Sequence, residues 1–282
     1  MKSDAVSICL LGSSHSACMY KAWKERTFPV AGGVTLTFFA GPSLSLNQLE
    51  LDGRSLVPGN DSLAQKMHLT SGGKTRIDLD DYDAFVTIAL GFKISVTDFM
   101  SDYGTFDNPA YSEAAKLLSR KCLLEVVKMS INDASFLRLA DKIRSVVSPP
   151  ILNVPAPFPC ESALDEPQFR NRTKLRDTEF LQRTISSWQR VAEACSAAHG
   201  GEVLWPPADL LASPSFTKQA FAQGGLTLKE KIMKDPADRE DGKHMNEDYG
   251  YHMLNAVFSK LDTMTGGKIL DRSRSKAAQP AG

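Results

Sequence analysis

Two short stretches near opposite ends of the chain contain the residue types needed for a serine nucleophile and its base. Residues 12–15 read Gly-Ser-Ser-His and follow an apolar run, and residues 241–244 read Asp-Gly-Lys-His. A serine hydroxyl becomes nucleophilic when a histidine removes its proton, and a third group must fix the tautomer and orientation of that histidine. The two stretches predict acyl transfer, with Ser14 as nucleophile, His244 as base and Asp241 as the orienting carboxylate.

Each stretch also has an ordinary structural interpretation. Ser14 could be the N-cap of the helix that follows it, because serine is among the preferred N-cap residues. Asp241 and His244 could begin a solvated helix, because the residues around them are polar and acidic. Ser13 and Ser16 are alternative nucleophiles. The catalytic interpretation is favoured because both stretches are expected at the points where strands of one sheet end.

The elements that would position these residues alternate between strands and helices. Apolar runs bounded by turn residues predict five strands, over 5–11, 34–40, 82–90, 151–154 and 203–205. Helical periodicity and end signals predict helices over 15–26, 111–131, 134–147, 178–199 and 244–262. This alternation predicts a mostly parallel, five-stranded sheet with helices on both faces, an α/β fold. Sites in such sheets form at the carboxyl ends of the strands, where Gly12, Gly41 and Gly91 lie beside Ser14.

Two segments differ from this pattern. Residues 43–81 are rich in Ser, Gly, Asn and Asp with short alternating stretches, and they predict a small β-hairpin insertion. Residues 265–282 are polar and rich in Gly, Ala and Ser, and they predict a disordered tail. The sequence therefore predicts one hydrolase-like domain over 1–264.

The two chemical stretches resemble the first and last blocks of the SGNH (GDSL-type) hydrolases. Residues 12–15 resemble the Gly-Asp-Ser block, residues 241–244 resemble Asp-x-x-His, and Gly41 follows the second strand, where that family keeps an oxyanion-hole glycine. The stretch His-Met-Asn at 244–246, with Tyr-Gly at 249–250, is similar to a bacterial SGNH-like subgroup. The resemblance implies a three-layer α/β/α, flavodoxin-like fold and ester hydrolysis without a cofactor.

The resemblance also implies further site residues. Backbone N–H groups of Ser14 and Gly41 would bind the oxyanion, while other side chains and turns would line the site: Ser13, His15, Gly91, Lys93 and Asn246. The chain departs from the family pattern twice, since Ser13 replaces the Asp of Gly-Asp-Ser and Lys93 replaces the Asn of Gly-x-Asn-Asp. Loss of one oxyanion donor typically costs about 3–4 kcal/mol. Lys93 either supplies a charged donor in its place or points to solvent.

The composition of the chain limits which classes of partner are expected. Lys plus Arg number 33 and Asp plus Glu number 33, so the charge balance favours neither nucleic acid nor an anionic membrane as partner.

The five cysteines are widely spaced without a Cys-x-x-Cys pair, which predicts a reducing compartment and no disulfide framework. No His, Cys, Asp or Glu grouping has metal spacing, so we predict no metal and no cofactor. A poor N-terminal signal pattern and the lack of a long apolar run predict a cytoplasmic protein.

The sequence thus predicts hydrolysis, or transfer, of an acyl ester on a small molecule or glycan. One alternative is a catalytically weak or inactive protein of the same fold that binds a carbohydrate or acyl ligand, which the missing Asn favours. Another is an unrelated α/β interaction module, which would be favoured if Ser14 and His244 lay more than about 8 Å apart. The acyl group, the alcohol and the oligomeric state are left open.

Overall fold

The computed structural model of the protein describes residues 5–41, 45–91, 103–104, 116–132, 134–165, 179–227 and 242–271. The strands are β1 (Ser7–Gly12), β2 (Thr35–Ala40), β3 (Leu49–Asp52), β4 (Ser55–Pro58), β5 (Ile77–Asp78), β6 (Ala84–Ile88), β7 (Tyr103–Gly104), β8 (Lys116–Leu117), β9 (Ile151–Val154), β10 (Glu202–Val203), β11 (Leu211–Ser213) and β12 (Phe216–Thr217). The α-helices are α1 (Ala17–Glu25), α2 (Asp61–Ser71), α3 (Arg120–Asn132), α4 (Ser135–Arg144), α5 (Glu179–Ala198) and α6 (Glu247–Met264).

The centre of the protein is a five-stranded sheet in the order β10-β9-β6-β1-β2, with every neighbouring pair parallel. The chain leaves β1 toward one edge of the sheet to form β2, and then returns to build β6, β9 and β10 toward the other edge. This is the flavodoxin-like strand order, in which ligand sites lie at the carboxyl ends of the strands where the order reverses. The reversal here falls between β1 and β6.

Both faces of the sheet are covered, as β1 illustrates. Ile8 and Leu10 pack in a core with α1 and α6, whereas Cys9 and Leu11 pack in a second core with helices α2 to α5. All four side chains are fully buried. A strand buried on both sides has a continuous apolar run rather than an alternating one, which is how β1 is recognised in the sequence. The predicted three-layer α/β/α fold with five parallel strands is confirmed.

Helices α1 and α6 touch closely on one side of the sheet. A Cβ atom built at Gly250 would lie 2.2 Å from the carbonyl oxygen of Cys18, so only glycine fits at this crossing. Ser14 lies three residues before α1, and His244 lies three residues before α6. The crossing therefore fixes the relative position of the two predicted catalytic residues.

The segment predicted as a hairpin insertion contains a hairpin and also a helix. Strands β3 and β4 pair antiparallel, and β5 pairs with β4 as a third strand. Helix α2 was not predicted: the side chain of Asn60 accepts a hydrogen bond from the Leu63 amide at 2.9 Å, and Gly72 ends the helix in the left-handed conformation at φ 77°. Leu63 and Met67 of α2 are buried in the core. This segment therefore supplies the helix that connects β2 to β6.

The first seven residues of the stretch predicted to be disordered, 265–271, have defined contacts. The carboxylate of Asp262 accepts hydrogen bonds from the amides of Ile269 at 2.7 Å and Leu270 at 3.0 Å. Ile269 is fully buried, and Leu270 forms a β-bridge with Val30. Residues 265–271 are held because two apolar side chains and a buried carboxylate anchor them, which corrects the prediction for this stretch. Residues 272–282 lie outside the described residues.

Candidate active site

The structure brings Ser14 and His244 together at the carboxyl edge of the sheet. The Oγ atom of Ser14 lies 3.0 Å from Nε2 of His244. This separation is within the range expected for a nucleophile and its general base. It is also far below the separation that would have favoured an unrelated interaction module.

The position of Ser14 follows from the turn at the end of β1. The amide of Ser13 donates to the carbonyl of Ile88 at 3.1 Å, and the Ser16 hydroxyl donates to the carbonyl of Ser13 at 2.7 Å. A Cβ atom at Gly12 would lie 2.5 Å from the Cβ of Ser16, so glycine is required where the strand turns into the 3-10 helix over 14–16. Ser13 and Ser16 are buried and Ser14 is half-buried, which leaves Ser14 as the accessible hydroxyl of the three.

The loop that carries His244 is fixed by close packing and a hydrogen bond to neighbouring segments. The carbonyl of Gly242 accepts a hydrogen bond from the Cys160 amide at 2.8 Å, and Gly242 has φ 62°. A Cβ atom at Gly242 would lie 2.6 Å from the Cβ of Ala163, and one at Gly225 would lie 2.3 Å from the carbonyl oxygen of His244. Both glycines are therefore needed where the loop packs against its neighbours. Gly242 lies inside the predicted motif, but the sequence contains no signal for its partners.

His15 stacks on His244. The ring centroids are 4.8 Å apart and the ring planes differ by 18°. The thiol of Cys18 donates to the His15 carbonyl at 3.2 Å, and burial raises the pKa of Cys18 to about 12, so the thiol remains a neutral donor. A stacked ring restricts rotation of the His244 imidazole, and its π face can stabilise positive charge on that imidazole. The structure thus places His15 in contact with His244.

Of the two backbone amides predicted to bind the oxyanion, the Ser14 amide is available and the Gly41 amide is not. The Ser14 amide donates no hydrogen bond within the residues that the structure describes, and it lies at the start of a helical segment, where N–H groups favour negative charge. The Gly41 amide instead donates to the Gly12 carbonyl at 3.0 Å. The β1–β2 ladder extends one residue past the end of β2 and engages this N–H. The expectation that Gly41 binds the oxyanion is therefore corrected.

Three residues predicted to line the site have structural roles. Asn246 is the N-cap of α6: its Oδ1 accepts from the Tyr249 amide at 3.2 Å, and its Nδ2 donates to the carbonyls of Ala220 and Gln223. Gly91, at φ 139°, faces the start of α4, where a Cβ atom would lie 2.5 Å from the Cβ of Ala134. Ser13 is 5% exposed, so it supports the Ser14 turn rather than lining an open site.

Asp241, the expected orienting carboxylate, and Lys93, the substitute for the family Asn, both lie outside the described residues. The described ranges contain no group of three or more His, Cys, Asp and Glu side chains arranged to hold a metal ion. None of the described helices combines the length and apolar character needed to cross a membrane.

Backbone strain at the end of β6 was not foreseen from the sequence. Ala89 has φ 54°, in the left-handed region that residues other than glycine seldom occupy. Its amide donates to the Val154 carbonyl at 2.9 Å, and the preceding residue, Ile88, accepts from Ser13. Strained residues of this kind cluster at functional sites. The strain at Ala89 therefore falls beside the turn that carries Ser14.

Comparison with known proteins finds solved structures of low similarity, among them the two described below. No family model matches the chain, and no curated protein matches it. The crystal structure of a lipase/acylhydrolase from Enterococcus faecalis shares 13% identity at a TM-score of 0.39, covering 93% of this chain and 96% of the other. A gut microbial diltiazem-metabolizing enzyme shares 12% identity at a TM-score of 0.37, covering 92% of this chain and 47% of the other. These similarities do not assign the chain to a family.

Proposed function

We propose that the protein hydrolyses a carboxylic ester, or transfers its acyl group, with Ser14 as the nucleophile. The observation that carries this proposal is the 3.0 Å separation between Ser14 Oγ and His244 Nε2 at the strand-order reversal of the sheet. A hydrogen bond between serine and histidine is common on protein surfaces. Here the serine is half-buried, the histidine is held by a packed loop, and a backbone amide donor lies at the same turn. Together these groups supply a nucleophile, a base and an oxyanion donor for acyl transfer.

The proposed reaction proceeds in two stages. Ser14 Oγ attacks the ester carbonyl carbon while its proton passes to His244 Nε2, and the Ser14 N–H donates to the oxyanion of the tetrahedral intermediate. His244 then gives the proton to the departing alcohol, which leaves an acyl group on Ser14. His244 then takes a proton from a water molecule, or from an acceptor alcohol in a transfer reaction, as that oxygen attacks the acyl carbonyl carbon. The bond between the acyl carbon and Ser14 Oγ breaks, and His244 returns the proton to Ser14 Oγ, which releases the acid or the new ester. Asp241 is proposed to orient His244 through Nδ1.

We infer that the substrate is a small-molecule or glycan ester and that the chain is a member of the SGNH hydrolases. The order of the motifs supports this inference, since the nucleophile follows the first strand and the base precedes the last helix. Chemistry of this kind uses side chains and backbone amides alone, so the proposal includes no cofactor.

An aryl-ester assay tests the proposal. The chain length of the acyl group is varied from acetyl to octanoyl, and wild type is compared with Ser14→Ala. We expect Ser14→Ala to lower kcat/KM by about 10³-fold or more, because nucleophile and base act as a unit. Ser145→Ala is the matched control, since Ser145 is an exposed serine after α4 at the opposite edge of the sheet. Full activity in Ser14→Ala, or an inactive wild type, contradicts the proposal.

A second candidate is a protein that binds an acyl or carbohydrate ligand with little or no turnover. The observation in its favour is the engaged Gly41 amide, which removes one expected oxyanion donor. The two candidates differ in reactivity toward a fluorophosphonate. An enzyme with an activated Ser14 forms a covalent adduct there, whereas a binding protein does not.

A further inference from the structure

A groove of about 470 Å³ lies between α3 and α5 and shares no residue with the Ser14–His244 site. Its surface is apolar along the middle, where Leu124 of α3 faces Val191, Ala194 and Cys195 of α5. The rest of the lining is polar: Arg120, Lys128, Ser187 and Arg190. A concave surface of this size is within the range of small-molecule sites, about 300–1,000 Å³.

Helical spacing explains how the groove is built. The α3 residues that line it, Arg120, Leu124 and Lys128, are four positions apart, so they form one stripe with a cation at each end. At about 1.5 Å per residue the two cations are separated by about 12 Å along the helix. On α5 the lining residues also recur every three or four positions and present one face. An apolar trough therefore lies between two cations of α3, with Arg190 on the opposing wall.

Among the residues that the structure describes, the three cations have no carboxylate partner. No acidic side chain lines the groove, and neither Arg120, Lys128 nor Arg190 forms a salt bridge within the described part of the chain. Arg190 donates to the Ser187 hydroxyl at 3.2 Å. Three arginines elsewhere pair with carboxylates: Arg26 with Glu247, Arg54 with Asp80 and Arg76 with Asp78. The chain as a whole has zero formal charge. Within the described residues, the groove therefore concentrates positive charge without carboxylate partners beside an apolar surface.

We propose that this groove binds a single-chain fatty acid anion. The alkyl chain covers Leu124, Val191 and Ala194, because burying apolar surface on both sides of the trough is favourable. The carboxylate pairs with the cations of the rim, and an arginine can bind a carboxylate through two parallel N–H donors. The proposal does not depend on the proposed ester chemistry, because the groove and its charges are separate from Ser14.

Sodium dodecanoate, used below its micelle concentration, is the probe, and isothermal titration calorimetry on the full chain measures its affinity. We expect one binding site, and we expect Arg120→Gln, Lys128→Gln and Arg190→Gln each to weaken binding about 2- to 5-fold, as for exposed ion pairs. Lys121→Gln is the matched control, because Lys121 is an exposed lysine of α3 outside the groove. Ala194→Trp fills the groove from an exposed position and is expected to abolish binding.

Two comparisons determine whether the site is the one proposed. Dodecyltrimethylammonium has the same chain with the opposite charge, and we expect it to bind at least 10-fold more weakly than dodecanoate. Bound dodecanoate should also slow alkylation of Cys195, which lines the groove and is 9% exposed, as measured by peptide mass spectrometry. The proposal is overturned if dodecanoate does not bind, if both head groups bind equally, or if the Gln variants match Lys121→Gln.

Discussion

The crossing of α1 and α6 predicts that Gly250→Ala will impair the site from a distance. The new Cβ atom would lie 2.2 Å from the carbonyl oxygen of Cys18, and real Cβ contacts essentially never fall below 3.0 Å. The two helices must therefore separate locally by about 0.8 Å or more. The nearby atoms are backbone, so no side-chain rotation can relieve the contact.

The expected effect on catalysis exceeds the effect on stability. Overpacking costs about 1–3 kcal/mol, and replacing a helical glycine with alanine returns about 1 kcal/mol, so the net loss of unfolding free energy is about 0–2 kcal/mol. Ser14 and His244 precede the two helices that must separate, and their 3.0 Å contact depends on that spacing. A misplacement of about 1 Å can reduce a rate by about 10²-fold. We expect labelling of Ser14 to slow by that order while the fold remains.

The assay is the rate of fluorophosphonate labelling, measured at a temperature where circular dichroism shows that the variant is folded. Gly32→Ala is the matched control, because a Cβ atom at Gly32 meets nothing within 4 Å and its φ is not in the left-handed region. If Gly250→Ala is labelled as fast as Gly32→Ala and has the same Tm, the crossing of α1 and α6 does not position the site.

Three further predictions concern other parts of the structure. His15→Ala should slow labelling of Ser14 about 5-fold, as for loss of about 1 kcal/mol of ring contact, whereas His15→Phe should retain most of the rate because it keeps the stack. Asp262→Ala should lower the unfolding free energy by about 1–3 kcal/mol in urea titrations, because it leaves two backbone N–H groups without their acceptor. Hydrogen bonds from Ser55 and then Arg76 lower the pKa of Asp78, so its contribution to stability is present above the ordinary aspartate pKa and is lost as pH falls toward the lowered value. Asp78→Asn should therefore flatten the acid side of the stability curve; an unchanged slope would contradict this assignment.

The sheet could be predicted from the sequence because its strands are short apolar runs that end at glycine or proline. Helix α2 could not be predicted in the same way. Its N-cap, Asn60, and its terminating residue, Gly72, belong to residue types that also mark turns, and they stand among many other turn residues. Only the burial of Leu63 and Met67 against the sheet determines that this stretch is a helix.

The pairing of Ser14 with His244 was predictable from the sequence, but the hydrogen bonds around this pair were not. Residue type and order identify Ser14 and His244, and the fold brings them together. The state of the Gly41 amide depends on how far the β1–β2 ladder extends, which is a property of strand pairing. The left-handed φ of Ala89 likewise has no sequence signal, because alanine carries no preference for that conformation.

The most direct test of the account is the site of covalent modification by a fluorophosphonate, mapped by peptide mass spectrometry. The account predicts one adduct, on Ser14, in the wild-type protein. It predicts no adduct in Ser14→Ala and strongly slowed labelling in His244→Ala, because the base that activates the hydroxyl is then missing. An adduct on another residue, or labelling of Ser14 at the same rate without His244, would contradict the central claim that these two residues form a catalytic pair.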